Sequence, residues 1–580
     1  MLRALESSIA ASATANWCHA DPLLDWLALY GAAKGFVPDD LRPDYDASTD
    51  MSLFQGDKQG RFEAGVLRKL GESFEVVRIG GLDMVIDFDL VDATFEAMRR
   101  GVEIIHRPHL LDSARGAFAI PTLLVRSDVV NRLTAQPSVS MEESLLPAAR
   151  LDRPHHYRVV DVKFTTLDLL ASGYVGNDAS DRRRKVQLLI ANRALGQMQG
   201  LEPLAAYVLG RSWKQGKERG NSCLDRLGLV AVADPLLIEM ADAALAWVRR
   251  VTDEGADWEV LPEPSVAELY PNMSNDRDRP WHEAKREIAE ALGELTLLWH
   301  VTPANRPFAH RAGVYRLDDP NCHSDLFQLK GAHGSKLQAV IETNHGGDLV
   351  RPGRLQADQE TWREPGPLEF YVDFETVTDL DDDFSKLPSR GGQPLIFMIG
   401  CGHVENGRWT FKAFTCDRLD EVSEAGIIDA WHTHMAEVRA RLWPGSDPLL
   451  FHWSHAETST LNTAYNSART RHGRDWPDLN WYDFLGKVVR AEPVAVKGSF
   501  AFGLKSIARA MHTHGLIETE WTNGPGDGLE AMLGAWRCEA KADLQNCSMR
   551  ELPLMQSIEA YNEVDCRVMQ EIVAWLRANR

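Results

Sequence analysis

The chain has 580 residues, of which 44% are hydrophobic and 25% charged, and these proportions are typical of globular proteins with two to four domains. The formal net charge of −21 argues against a protein that coats nucleic acid through overall electrostatic attraction. No segment reaches the roughly 20 apolar residues of a membrane span, and the first residues lack a signal peptide, so we expect a cytoplasmic protein that has no membrane partner.

Polar gaps that contain proline predict how the chain is divided. One gap near 136–154 interrupts two apolar runs and has the pattern of an insertion within a domain. Two further gaps, near 252–282 and 344–367, have the composition of connecting segments. The gaps predict an N-terminal domain over 1–250, a middle helical or connecting region over 251–365, and a C-terminal domain over 366–580.

Apolar periodicity predicts the main elements of the N-terminal domain. β-Branched runs at 123–130 and 157–165 are typical of strands, and residues 185–199 have the apolar face of a helix. Strands that alternate with helices favour a mixed α/β core.

The strand at 157–165 carries a candidate site. Strand alternation places Asp161 and Lys163 on one face, with valines packing on the opposite face. A carboxylate that holds a metal ion, next to a lysine that steadies the attacking water, is suited to hydrolytic cleavage of DNA at the edge of a sheet.

This D-x-K pattern, the strand LLVRSDV before it and the helix with K-x-Q-L-L-I after it resemble the RecB-like branch of the PD-(D/E)xK nucleases over about residues 17–230. The resemblance implies a restriction-endonuclease-like α/β domain. In that domain Lys163 and Gln187 would be catalytic, Asp161 would be a metal ligand, and Glu63 would complete the site.

The sequence departs from this family at two positions. Thr122 stands where the family has an acid before the strand LLVRSDV, and Ala191 stands where it has a tyrosine. Either Asp128 supplies the missing metal ligand through a shifted register, or the site has lost a ligand and survives as a binding platform. Some relatives hold an iron–sulfur cluster on four cysteines, but only Cys18 and Cys223 fall in this domain, so no cluster is expected.

The C-terminal domain opens with a predicted antiparallel meander, because turns are expected around Gly402 and at Asn406-Gly407. Its strands are predicted at 368–376, 394–404 and 409–415. Helical patterns follow at about 419–443, 455–472, 500–513 and 554–578. Three strands followed mainly by helices is the element order of an RNase H-like fold.

Acidic residues lie at both ends of this domain. Asp373 and Glu375 share one face of its first strand, and Tyr561 and Asp565 lie one helical turn apart on its last helix. Two carboxylates so close together repel one another unless a cation lies between them, so divalent metal binding is the natural explanation. The D-x-E and Y-x-x-x-D patterns resemble the DEDD family of 3′–5′ exonucleases over about residues 368–580.

That resemblance implies phosphodiester hydrolysis with two Mg²⁺ or Mn²⁺ ions. The implied metal ligands are Asp373, Glu375, Glu457 and Asp565. Tyr561 would orient or deprotonate the attacking water. Glu457 stands where the family has an aspartate, with His452 or His455 as the alternative, and Asp483 is given a supporting role.

The two resemblances together predict a metal-dependent nuclease, namely a 3′–5′ DNA exonuclease with a RecB-like partner domain that serves DNA repair or defence. Two alternatives stay open: a nucleic-acid-binding scaffold whose sites have decayed, and an RNA-processing exonuclease, because DEDD sites also process RNA. The expected partner is nucleic acid, with DNA favoured over RNA, and no protein partner is predicted.

Overall fold

The computed structural model describes residues 8–580 with the exception of 44, 82, 84, 177–178, 379–394, 446, 454–459 and 522–527. The described chain forms two compact units. The first comprises the described parts of Met1–Arg42 and Ser52–Ile288, and the second those of Pro43–Met51, Ala289–Asp381 and Gly392–Arg580. Both combine helices with β-sheets, so the predicted mixed α/β class is confirmed. Among the described helices, none is both long and apolar enough to cross a membrane.

The first unit is built on a mixed sheet of the order β10-β8-β7-β6-β3-β2, with β9 beside β8, and on a smaller sheet of the order β1-β5-β4. Strands β3, β6 and β7 are antiparallel neighbours, whereas β8 runs parallel to β7. The strand bounds are β1 (Ile9–Ala10), β2 (Val76–Arg78), β3 (Ile104–His106), β4 (Leu110–Asp112), β5 (Ala117–Ala119), β6 (Leu123–Arg126), β7 (Tyr157–Leu169), β8 (Ala205–Gln215), β9 (Glu218–Gly220) and β10 (Gly228–Ala231).

Two helices cover the two faces of β7. Val160 and Val162 share a buried cluster with Phe62 of the helix Met51–Gly71, while Val159 shares another with Ile190 of the helix Ala179–Gln199. The helices up to residue 292 are α1 (Ala15–Cys18), α2 (Leu23–Trp26), α3 (Met51–Gly71), α4 (Phe88–Arg100), α5 (Met141–Ser144), α6 (Ala179–Gln199), α7 (Pro235–Glu254) and α8 (His282–Leu292). Because side chains alternate along a strand, Asp161 lies on the face of β7 that α6 covers.

The second unit contains a sheet of the order β14-β13-β12-β15-β16. The first three strands in sequence are antiparallel, and β15 and β16 run parallel to β12. A separate pair joins β11 to β17. The bounds are β11 (Val350–Arg351), β12 (Glu369–Val377), β13 (Leu395–Glu405), β14 (Arg408–Thr415), β15 (Leu449–His452), β16 (Trp481–Asp483) and β17 (Ala495–Val496).

The longest helix of the second unit, Pro553–Asn579, packs against β12 and β13. Its buried face includes Val568, Ile572 and Leu576, and proline in its first turn suits a helix start because the missing N–H would have no helical partner there. The helices are α9 (Arg306–Arg311), α10 (Ala332–His345), α11 (Gln359–Trp362), α12 (Glu421–Leu442), α13 (Thr460–His472), α14 (Leu504–Thr513), α15 (Gly528–Gln545) and α16 (Pro553–Asn579).

The predicted meander β12-β13-β14 is confirmed, but one of its predicted turns is wrong. The turn at Asn406-Gly407 has φ angles of 50° and 73°, as a tight hairpin requires. Strand β13, in contrast, continues through Gly402 to Glu405. A Cβ atom at Gly402 would lie 2.1 Å from the ring of Trp409, so this glycine makes room for a cross-strand indole rather than a turn.

Candidate active site

Three carboxylates meet in the second unit. Asp373 and Glu375 come from β12 and Asp565 from α16, and their ligand atoms all lie within 4.8 Å of one another. Glu375 and Asp565 are buried and Asp373 is half-buried. Between the first two, Phe374 packs on the opposite face of the strand against the edges of Trp431 and Trp481. Strand alternation therefore produces the pair that the sequence predicted, and the packing of α16 on β12 adds the third acid.

These carboxylates have raised pKa values. Burial, followed by the charge of Asp565, raises the pKa of Asp373 to about 8. Burial, together with Asp373 and Asp565, raises the pKa of Glu375 well above its ordinary value. Burial raises the pKa of Asp565 to about 6. A carboxylate cluster of this kind retains protons near neutral pH unless a cation compensates its charge.

Side chains of α14, α16 and the segment before residue 522 surround the acids. The indole N–H of Trp521 donates to Oδ1 of Asp565 at 3.1 Å, and the phenol of Tyr561 also hydrogen-bonds to Asp565. Lys505 Nζ lies 4.4 Å from the centre of the Tyr561 ring. Burial and the acid neighbours raise the pKa of Tyr561, so its hydroxyl stays protonated and acts as a donor to Asp565.

Asn562 is a member of this site that the sequence analysis missed. It is fully buried, and its amide nitrogen lies 3.0 Å from Oδ2 of Asp373 and 3.5 Å from Oε1 of Glu375. The amide N–H groups therefore hold the two acids of β12 in place. The only sequence signal was its position directly after Tyr561 on the helix.

Strand β15 approaches the same end of the sheet. It pairs in parallel with β12, Tyr371 opposite Phe451, and ends at His452. His452 is buried, burial lowers its pKa to about 4, and it is not one of the three grouped ligands. Glu457 and His455 lie outside the described residues. Asp483, opposite His452 in β16, accepts the Gly486 N–H at 3.0 Å and thereby shapes the start of the next turn.

The amide of Asn562 fits only because residue 400 has no side chain. Gly400 lies opposite Asp373 in β13, and a Cβ atom there would be 1.7 Å from Oδ1 of Asn562. We expect Gly400→Ala to displace this amide and to reduce metal affinity and cleavage, with a loss of stability of about 1–3 kcal/mol. Gly426→Ala is the matched control, because a Cβ atom at Gly426 in α12 meets nothing within 4 Å. Equal behaviour of the two variants in a Mn²⁺ titration would contradict this role of Gly400.

The second candidate cluster lies in the first unit, around Asp161 of β7. Lys163 Nζ lies 3.0 Å from Oδ2 of Asp161, and Oγ1 and the backbone N–H of Thr122 donate to Oδ1 at 2.7 and 3.2 Å. Burial tends to raise the pKa of Asp161, but Lys163 and Thr122 outweigh it and hold the pKa below its ordinary value. This carboxylate is therefore ionised and already compensated, the reverse of the situation in the second unit.

Gln187 of α6 joins Asp161 and Lys163 in lining a small cavity of about 110 Å³. Ala191, one turn further along α6, lines the same cavity. The structure therefore brings together three of the residues predicted for this site. Ala191 contributes only a methyl group to the wall of this cavity.

The other two predicted ligands do not join Asp161. Register pairs Leu123 with Val160 and Arg126 with Tyr157, so Asp128 lies beyond the opposite end of β6, where it is bound by Arg126 at 2.7 Å. The proposed register shift is therefore wrong.

Glu63 is also engaged elsewhere. Its Oε1 accepts from His106 at 3.0 Å, and Arg107 binds both of its oxygens at 2.8 Å. Over the described part of the chain, the three acids of the second unit are the sole group of potential metal ligands this close together. Among the described residues of the first unit, the predicted ligands Asp161, Asp128 and Glu63 therefore do not come together around one metal ion.

No family model, no curated protein and no solved structure matches this chain. The features that bear on function are therefore the carboxylates of the second unit and the cluster around Asp161.

Placing an acid at position 122, beside Asp161, tests whether a second carboxylate would create a metal site in the first unit. Thr122→Asp would place a second buried carboxylate next to the first, so we expect a loss of stability of about 1–3 kcal/mol in EDTA. Mn²⁺ should then raise the unfolding temperature of this variant more than that of Thr122→Asn, which has nearly the same shape but no charge. An identical response of the two variants to Mn²⁺ would show that a second acid is not what the site lacks.

Proposed function

We propose that this protein is a metal-dependent nuclease that hydrolyses phosphodiester bonds at the carboxylates of the second unit, acting as a 3′–5′ DNA exonuclease. The observation that carries the proposal is the convergence of Asp373, Glu375 and Asp565 within 4.8 Å. Carboxylate oxygens are the ligands that Mg²⁺ and Mn²⁺ prefer, and a cation would relieve the repulsion that raises these pKa values.

The order of the strands supports the predicted fold families. Three antiparallel strands followed by two parallel ones, with the acids on the first, is the arrangement expected of an RNase H-like domain. In the first unit, the antiparallel β3, β6 and β7 are followed by α6 and by β8 parallel to β7. This is the arrangement expected of the RecB-like PD-(D/E)xK core. The preference for DNA, the 3′–5′ direction and a role in repair or defence come from these resemblances.

The three acids would hold the metal, with Glu457 as the further ligand that the resemblance implies. A bound ion supplies activation of the attacking water and stabilisation of the leaving oxygen. Asn562 orients the two acids of β12 through its amide. Tyr561, whose phenol keeps its proton, is suited to positioning water rather than to deprotonating it. Lys505 lowers the pKa values of the acids and places a positive charge where substrate phosphates would enter.

The first unit supports a different role, that of a binding platform. Asp161 is neutralised by Lys163, and Thr122 replaces the second acid, so this cluster is suited to contact a phosphate rather than to hold a catalytic ion. This corresponds to the alternative in which the N-terminal site has lost a metal ligand. An RNA substrate remains the other alternative.

Digestion of end-labelled substrates tests the proposed function. Single- and double-stranded DNA and RNA, labelled at the 5′ or the 3′ end, would be incubated with the protein in Mg²⁺ or Mn²⁺. We expect 5′-labelled DNA to shorten progressively and 3′-labelled DNA to release its label at once. Release of the label from the 5′ end first, or the absence of metal-dependent cleavage of every substrate, contradicts the proposal. Faster cleavage of RNA selects the RNA-processing alternative.

Metal binding is expected to depend on pH with a defined sign. Because the pKa values of Asp373 and Asp565 are raised to about 8 and about 6, protons leave these acids when a cation binds. Apparent Mn²⁺ affinity should therefore increase between pH 6 and pH 8, by about tenfold per unit for each proton released. Without metal, the folded state is stabilised because it holds these protons more tightly than the unfolded chain does. This stabilisation is fully present below pH ~4, the ordinary pKa of a carboxyl group, and is lost as the pH rises through 8, the pKa of Asp373 in the folded state. A Mn²⁺ titration that is independent of pH contradicts this expectation.

A further inference from the structure

A second set of charged groups lies at the start of α6, outside the sites described above. The sequence has four consecutive basic residues at 182–185. Arg184 is paired, because its Nη1 lies 2.5 Å from Oδ1 of the buried Asp181. Arg183 is half-buried, and its Nε atom is buried without a hydrogen-bond partner among the described residues. Of these two neighbouring arginines, one is paired with a buried acid, whereas the other has a buried nitrogen without a partner among the described residues.

Arg277 is held next to Arg183 by a tightly bonded loop. The Asn272 amide donates to the carbonyl of His19 at 3.0 Å, and the backbone N–H of Arg277 donates to Oδ1 of Asn275 at 3.1 Å. Asn275 in turn donates to Oδ2 of Asp21 at 2.9 Å. Helix α1, which ends directly before His19, packs against α6. Burial, followed by the charge of Arg277, lowers the pKa of Arg183.

His19 completes the set. About nine-tenths of its surface is buried, and Nε2 has no hydrogen-bond partner in the described part of the chain. Burial, then Arg183 and Arg277, lowers its pKa to about 4, while Asp276 acts in the opposite direction. A buried imidazole nitrogen and a buried guanidinium nitrogen, both unpaired and next to further positive charge, form an environment that an anion would satisfy.

The same groups adjoin the cavity of the first unit. Arg183 lies one helical turn before Gln187, so both project from one face of α6, and Gln187 lines the cavity with Asp161 and Lys163. The charge of Asp161 also reaches Arg183. Arg183 therefore lies on the same helix face as Gln187, next to the cavity that Lys163 also lines.

We propose that Arg183, Arg277 and His19 form a binding site for a phosphate group of a nucleic-acid backbone, beside Asp161 and Lys163. Guanidinium groups match the geometry of phosphate oxygens and bind them through two parallel hydrogen bonds. A phosphate offers acceptors to the buried nitrogens of Arg183 and His19 and compensates the positive charge of Arg183 and Arg277. That the phosphate belongs to nucleic acid rests on the proposed function. In a chain of net charge −21, such a local cluster would set where the backbone contacts the first unit.

Binding in the absence of cleavage tests this site. The full-length protein in EDTA would be titrated with a fluorescein-labelled single-stranded oligodeoxynucleotide, and anisotropy would be recorded at several salt concentrations. We expect Arg183→Gln combined with Arg277→Gln to weaken binding by about tenfold or more. The slope of log affinity against log salt should also fall by about one for each phosphate group that the variant no longer neutralises.

Arg99→Gln is the matched control, because it removes one positive charge from an exposed position at the end of α4. The carbonyl of Arg99 contacts Arg153, and Arg150 bonds to the last residue of α6, so this control lies near the opposite end of that helix. Wild-type affinity in the double variant, or an equal loss in Arg99→Gln, overturns the proposal. If Arg183→Gln lowers the unfolding temperature, the affinity of the single variant Arg277→Gln, whose side chain is exposed, decides between these outcomes.

Two further comparisons separate this site from its alternatives. Calorimetric titration with inorganic phosphate tests the source of the ligand: binding that depends on Arg183 for phosphate but not for the oligonucleotide overturns the assignment to nucleic acid. The outcomes for the phosphate site and for the proposed function can be distinguished. If the wild-type protein binds the oligonucleotide through the arginines but does not cleave it, the phosphate site is supported and the nuclease function is contradicted. If cleavage depends on Asp373 but binding does not depend on the arginines, the nuclease function is supported and the phosphate site is contradicted.

Discussion

Asp373→Asn is expected to abolish cleavage and, at the same time, to stabilise the metal-free protein. Asn preserves the shape of the side chain and leaves an oxygen for the Asn562 amide, 3.0 Å away in the wild type, but removes one charge from three clustered acids. Because a catalytic ion contributes several kcal/mol, the rate should fall by at least about a thousandfold. Above pH 8, where Asp373 is ionised, relief of repulsion should raise stability in EDTA by roughly 1–2 kcal/mol.

The pair of effects is measured by cleavage of end-labelled DNA and by thermal unfolding in EDTA. Glu421→Gln removes an equal charge from an exposed position in the first turn of α12 and should change neither quantity. Cleavage by Asp373→Asn at the wild-type rate would remove the second unit's acids from the mechanism. Lower stability in EDTA would mean that the acids are not in mutual repulsion.

Lys285→Met is expected to produce the largest loss of stability in the first unit. The Lys285 side chain is fully buried, and Nζ lies 3.0 Å from Oδ2 of Asp21 and 2.5 Å from Oδ2 of Asp278. It also donates to the carbonyls of Asn272 and Asn275 at 3.0 and 2.7 Å. Methionine fills a similar volume but deprives two buried acids of the cation that they share, and removing one partner of a buried ion pair costs about 3–5 kcal/mol.

Urea unfolding followed by circular dichroism measures this loss. Lys69→Met is the control, since Lys69 is exposed and its ion pair with Glu72 at 2.6 Å, the sole one it makes with a described residue, is worth at most about 1 kcal/mol. Adding Asp278→Asn to Lys285→Met should recover part of the stability, because this second substitution removes the negative charge that Lys285 compensates at Asp278. An unfolding midpoint for Lys285→Met equal to that of wild type would show that this network does not hold the loop in place.

Local patterns predicted the acids of the second unit because strand alternation and helix spacing are local rules. Asp373 and Glu375 follow from period-two alternation, and Asp565 from its spacing to Tyr561. The contacts of Asn562 and Trp521 with these acids depend on how α16 and the segment before residue 522 lie against the sheet, which no local pattern specifies. Register explains the error at Asp128: only the pairing of β6 with β7 shows that Thr122, not Asp128, lies beside Asp161.

The elements themselves were predicted with uneven success. Strands β12, β13 and β14 were placed within a few residues, since long alternating or apolar runs dominate them. The predicted strand 123–130 ends at Arg126, and helix α14 starts at Leu504 rather than near 500. Helix α15 was missed altogether. Its interior contains Gly534, whose small size brings Ile558 and Leu554 close to the backbone, and glycine weakens a helical signal even where packing requires it.

The close approach of Gly400 and Asn562 links two positions that are 162 residues apart in the chain. Any side chain at position 400 would occupy the space of the Asn562 amide. A group larger than this amide at position 562 would in turn push against the backbone of strand β13 at Gly400. Neither position can change alone without disturbing the acids. In an alignment of relatives, we therefore expect the two positions to covary, with a side chain at 400 accompanied by a smaller residue at 562.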